Sequence, residues 1–205
     1  MNIRKHKITP AAHRSHRTSR SRRALGRVLL LATAAALNQF WIGVTPALAG
    51  RGVKVENVAA GSADISRSGA VTTIRAADRT VINYSSFDVA RGETVRFVQP
   101  SASSRVLNRI ESRTPSLIDG SVRANGMVYF VNRAGVTFGP NATVEAGRFV
   151  AAAGAMSDRD FLTGVDRFSL TGPLVNQGAI AADVVSLAGR TVENVGQITG
   201  RSMVT

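Results

Sequence analysis

Asn125 to Val150, NGMVYFVNRAGVTFGPNATVEAGRFV, constrains the fold more than any other stretch of this chain. Met127 to Val131 is an unbroken apolar run with two aromatic and two β-branched residues. It is too short for a helix and is bracketed by Gly126 and Gly135, so it reads as a strand buried on both faces. Asn132-Arg133-Ala134-Gly135 makes a turn, Val136 to Phe138 a second strand, Gly139-Pro140-Asn141 a second turn, and Ala142 to Ala146 a third strand. Strands this short, turned by Asn and Gly at regular intervals, predict a chain that coils round itself instead of zigzagging in hairpins.

The end of the chain repeats. Asn176-Gln177-Gly178-Ala179-Ile180 and Asn194-Val195-Gly196-Gln197-Ile198 both fit Asn-x-Gly-x-Ile, with their asparagines 18 positions apart. A period near that length suits one coil of a parallel β-helix, whose coils stack about 4.8 Å apart to bury a shared apolar edge. Asparagine tolerates left-handed backbone at the corners, and its side chain can bond the equivalent Asn one coil away. At about 18 to 25 residues per coil, residues 50–205 make roughly six to eight coils.

The intervening segments fit the same plan. Val53 to Glu56 alternates as a half-buried strand, and Ala59 to Gly69 is a loop or cap. Val71 to Ile74, Val81 to Tyr84 and Thr94 to Val98 are strands, with Val95 and Phe97 on one face. Ser101 to Ile110 supports two readings. Ser101 could cap a helix carrying Val106, Leu107 and Ile110, or the segment is a strand with Ser-rich flanks, which is slightly favoured. Leu117 to Val122 is a strand, a turn and the start of another strand.

Residues 1–49 hold nine of the chain's 26 basic residues and no Asp or Glu. Val28 to Leu37 is largely apolar and Ala47-Leu48-Ala49 supplies small residues around a leucine, so the segment reads as a cleaved signal peptide with an extended basic n-region. Its apolar run breaks at Asn38-Gln39, short of the roughly 20 residues a bilayer span needs, and no stable span is expected after cleavage. Arg22-Arg23 also resembles a twin-arginine signal, but an adjacent arginine pair is unsurprising in so basic a leader.

Without the leader, 17 basic residues face 13 acidic ones, and the net charge falls from +13 to +4. Nucleic-acid binding thereby loses its main support. Residues 50–205 contain neither His nor Cys. That removes histidine-based acid–base chemistry, His-containing triads, ordinary zinc sites and disulfides, and predicts no catalytic residue, metal or cofactor. Asp158-Arg159-Asp160 with Asp166-Arg167 supplies too few oxygens for calcium, which takes roughly six to eight, and reads as a solvated loop with local ion pairs. Tyr129, Phe130, Phe138 and Phe149 read as core, not as a carbohydrate groove. Arg105, Arg109 and Arg113 read as strand exteriors.

Several segments are similar to a known family. Ile82-Asn83-Tyr84-Ser85-Ser86-Phe87-Asp88-Val89 followed by Gly92-Glu93-Thr94-Val95-Arg96-Phe97 resembles the start of the haemagglutination-activity domain, the N-terminal secretion domain of filamentous-haemagglutinin-like adhesins. Val106 to Ile110, Pro115 to Gly120 and Asn125 to Gly139 resemble its later motifs in the same order. The family's Asn-Pro-Asn-Gly turn stands here as Asn132-Arg133-Ala134-Gly135. The resemblance implies an all-β fold, a right-handed parallel β-helix with an N-terminal cap. It implies a partner as well, an outer-membrane barrel transporter that exports the chain unfolded in two-partner secretion to the cell surface or medium. Transporter recognition or turn formation is carried onto Asn83, Asn108, Arg109, Asn132 and Gly135. Host or surface glycans are further candidate ligands. Ser202-Met203-Val204-Thr205 stops inside an expected coil, which predicts a truncated piece of a longer adhesin. A lyase-like carbohydrate-active β-helix enzyme and an autotransporter passenger are the alternatives.

Overall fold

The computed structural model describes residues 52–204, so the expected signal peptide and its arginine pair lie outside it. Two strands come first, β1 (Val53–Ala60) and β2 (Ala63–Ser68). β2 pairs antiparallel with β3 (Val71–Ala76), and β1 pairs antiparallel with β4 (Thr80–Phe87). These antiparallel strands cover the first edges of the sheet, which would otherwise present unpaired backbone groups. The segment read as loop or cap is thus the cap. Register shifts at Lys54/Val55 and beyond break the alternation expected of Val53 to Glu56, and β1 stays mostly exposed.

From β3 onward the chain winds in coils. β3 and β4 make the first; β5 (Thr94–Val98), β6 (Arg105–Ile110) and β7 (Ser116–Ile118) make the second. β8 (Ser121–Ala124), β9 (Met127–Asn132) and β10 (Val136–Phe138) make the third. β11 (Thr143–Ala152) starts the fourth. An excursion follows through β12 (Gly154–Ala155), α1 (Asp158–Thr163) and β13 (Ser169–Leu170), before β14 (Pro173–Asn176) closes that coil. β15 (Ala179–Ala188) and β16 (Thr191–Asn194) form the fifth, and β17 (Gln197–Val204) begins a sixth.

Three parallel ladders run up the axis. The first face stacks β3, β5, β8 and the leading halves of β11, β15 and β17. The second stacks β4, β6, β9 and the trailing halves of β11, β15 and β17. The third stacks β7, β10, β14 and β16. This is the parallel β-helix that the short strands predict. Ala179 pairs with Gln197, and Asn176 with Asn194, which is the 18-residue coil read from the repeat. Earlier coils are longer: Thr94 pairs with Ser121 and Ser121 with Thr143.

Period-two alternation sorts the side chains. Ile82, Tyr84, Val106, Ile110, Val128, Phe130 and Phe149 point inward and join one core. Phe130 sits at its centre, with ring centroids of Phe87 at 4.7 Å and Phe149 at 5.8 Å. Val81, Leu107, Tyr129, Val131 and Val150 point outward on the second face, yet they are also buried, because Met156 and Phe161 of the excursion lie over them. That second cluster is why Met127 to Val131 has no polar alternation.

The excursion corrects the reading of Asp158 to Arg167 as a solvated loop. Ser157 caps α1 by accepting from Asp160 N at 3.1 Å, and Gly164 ends it in the left-handed region at φ 80°. Two of its aspartates reach beyond the local segment, Asp158 pairing with Arg109 and Asp166 with Arg148, both on the coils, while Asp160 keeps an expected local ion pair with Arg167. Ser101 to Ile110 resolves as a turn followed by a strand, so Arg105 and Arg109 share the outer side of β6, whereas Arg113, expected on a strand exterior, lies exposed in the bend between β6 and β7.

Candidate recognition site

Asn132 ends β9 with its side chain turned inward and 0% exposed. Its Nδ2 donates to Thr114 O at 3.2 Å and to Ser116 Oγ at 3.0 Å, one coil back. Its Oδ1 accepts from Ala134 N at 2.9 Å, and Gly135 N donates to Asn132 O at 3.2 Å. The side chain therefore supplies the turn and ties it to the preceding coil. Gly135 follows at φ 127°, where a Cβ would lie 2.8 Å from Pro173 O of the following coil. One corner thus touches both neighbours.

Asn108 occupies the inner side of β6, also 0% exposed. Its Oδ1 accepts from Tyr84 Oη at 2.8 Å and its Nδ2 donates to Tyr129 O at 3.1 Å, so it links three successive coils. Burial pushes the Tyr84 hydroxyl far above the usual phenol range. A buried polar side chain of this kind is tolerable only because its hydrogen bonds are made.

Arg109 and Asn83 lie on the outer side, paired in register. Arg109 Nη1 donates to Asn83 Oδ1 at 3.2 Å, while Asn83 Nδ2 donates to Asn57 Oδ1 of the cap at 3.0 Å. Arg109 Nη2 donates to Met156 O at 3.1 Å and pairs with the Asp158 carboxylate. A cavity of about 290 Å³ opens beside it, lined by Glu111, Arg133, Met156 and Ser157 among others. The five candidates therefore occupy three places: the β9–β10 corner, the interior, and the outer face beneath the excursion.

Other corners carry residues that the sequence did not single out. Asp78 Oδ1 accepts from Arg105 N at 2.9 Å, Asp88 Oδ1 from Leu117 N at 2.8 Å, and Asp119 Oδ1 from Asn141 N at 3.1 Å. Each carboxylate holds the backbone of the coil one turn later. The Asn125 side chain reaches back instead, to the preceding coil: Gln99 N donates to Asn125 Oδ1 and Asn125 Nδ2 donates to Gln99 O, both at 2.8 Å. An Asp at a turn signals only the turn in sequence, because its acceptor role depends on a partner 22 to 29 positions away. Tyr129 on the outer face has its hydroxyl pushed up first by burial, opposed by the Arg148 charge and reinforced by Asp166.

Comparison with known proteins places these features in context. The profile of the TPS secretion domain matches residues 49–205. A heme/hemopexin-binding protein of Haemophilus influenzae strain Rd is 37% identical over 95 residues, 45% of this chain and 10% of that protein. A second heme/hemopexin-binding protein of Haemophilus influenzae is 31% identical over 81 residues, 40% of this chain and 9% of that protein. The matched part thus spans about a tenth of those relatives. The crystal structure of the HMW1 secretion domain from Haemophilus influenzae has a TM-score of 0.67 and 29% identity, covering 72% of this chain and 42% of that one.

Proposed function

The chain belongs to the TPS secretion domain family, and from that premise we propose that residues 50–205 are the N-terminal secretion domain of a large surface or secreted adhesin. The domain passes the periplasm unfolded, engages an outer-membrane barrel of the two-partner type, and folds on the far side. It acts as an export signal and folding nucleus, not as a catalyst. The observation that carries this reading is the burial of the expected signature. Asn108 and Asn132 are 0% exposed, so a transporter can read their side chains only before the coils close. The absence of Cys fits the same route, since no disulfide can fix the chain before it crosses. Once outside, coils add one by one, each pairing with the one before it as β17 pairs with β15.

The test is release into the medium with and without the co-expressed barrel. Release should require the barrel and should fall for Asn132→Ala. Wild-type release of that variant would remove Asn132 from recognition, and release without the barrel would overturn the export route.

A further inference from the structure

We infer that the excursion between β11 and β14, residues 153–172, is a strap that opens and closes on the β-helix independently of its coils. When it opens it uncovers a strip of apolar side chains along the second face. Val81, Leu107, Tyr129 and Val150 stand in register on four successive coils, all pointing outward. Outward positions of a β-helix normally face water, yet these four are at most 2% exposed. They share one cluster with Met156 and Phe161 of the strap, and Leu162 and Phe168 of the strap pack against it together with Ala60 of the cap, Met127 and Ala188. The Phe161 ring meets Tyr129 edge-on at 5.5 Å.

The strap contributes no strand to any parallel ladder. β12 and β13 pair only with each other, at two residue pairs, and the backbone hydrogen bonds described for residues 157–167 close within the strap itself. α1 has six residues, too few to persist as a helix in water on its own. At the base, Thr171 N and Gly172 N both donate to Ala153 O at 3.0 Å. The two ends therefore stay joined while the middle swings. The middle is tethered by side chains of the coils. Arg105 Nη2 donates to Leu162 O at 3.1 Å, Arg109 holds Met156 O and Asp158, Arg148 pairs with Asp166, and Tyr129 Oη donates to Asp166 Oδ1 at 3.2 Å. Opening breaks these tethers and one patch of apolar packing but no rung, so it falls among the sub-global openings that cost less than unfolding. The tethering ion pairs are partly exposed, and salt screens such pairs.

Amide hydrogen exchange on the whole chain tests the strap. Amides of residues 158–166 should exchange at least about 100-fold faster than those of β9. Arg148→Ala should speed the strap amides by about tenfold or more while β9 stays unchanged, and should let an apolar dye bind the uncovered strip. Arg109→Ala, whose site is partly exposed, should act the same way and guards against a folding defect in either variant. Strap and β9 amides that accelerate together, or strap amides that ignore both substitutions, would overturn the proposal.

Discussion

Tyr84 donates its hydroxyl hydrogen to Asn108 Oδ1 at 2.8 Å, and both residues have no solvent exposure. The bond crosses from the first coil to the second inside the β-helix. Replacing Tyr84 by Phe keeps the ring packing against Phe87 and strands the amide oxygen of Asn108. The expected loss is about 1–3 kcal/mol of unfolding free energy, read from urea denaturation. An unchanged midpoint would mean that the bond contributes nothing net.

Alkaline pH tests the same interior. The only two tyrosines, Tyr84 and Tyr129, are both pushed above the ordinary phenol value, Tyr84 by burial and Tyr129 by burial beside Asp166 against the opposing charge of Arg148. Unfolded tyrosine ionises near pH 10, so between that value and the folded one the unfolded chain binds fewer protons. Stability is therefore intact below about pH 10 and falls above it by up to about 1.4 kcal/mol per pH unit for each tyrosine. In Tyr129→Phe, tyrosinate absorbance should rise only together with loss of the strand circular-dichroism signal. A rise near pH 10 with strands intact would contradict the burial of Tyr84.

The asparagine pair of the last coils makes a graded prediction. Asn176 is buried, donates to Asn194 Oδ1 at 2.8 Å and accepts from Gly178 N at 3.2 Å, whereas Asn194 is exposed. Asn176→Ala should cost about 1–3 kcal/mol and Asn194→Ala about 1 kcal/mol or less, by thermal or urea unfolding. Equal effects would mean that burial is not what sets the value of this rung.

Gly135→Ala tests the corner. Its φ of 127° and the 2.8 Å approach of Pro173 O leave no room for a Cβ, so a loss of about 1–3 kcal/mol is expected. Ala134→Gly next to it should change stability by less than about 1 kcal/mol.

The β-helix was legible because its signals are local. The apolar Met127–Val131 run, the Asn-Gly corners and the Asn-x-Gly-x-Ile repeat each state a strand or a turn within a few residues. The strap was not, since α1 is too short to show helical periodicity, although its Ser157 cap and Gly164 stop stand in the sequence. The candidate residues can be named one by one from the sequence, but their arrangement cannot. Asn108 and Arg109 adjoin in sequence, yet consecutive strand residues face opposite sides, so one enters the core and the other reaches the strap. The carboxylate corners at Asp78, Asp88 and Asp119 stayed hidden because their partners lie a full coil away.

A cross-coil disulfide decides whether the chain leaves the cell unfolded. Ser121 and Thr143 are register partners on adjacent coils with their hydroxyl oxygens 2.7 Å apart, in a domain that has no cysteine of its own. Cysteines at both positions should close in an oxidising periplasm. The measurement is the fraction of the double variant released to the medium, compared with each single variant and with growth under reductant. The cross-linked chain should be retained while the singles and the reduced form are released normally. Cross-linked chain in the medium at the wild-type level would contradict export of an unfolded chain.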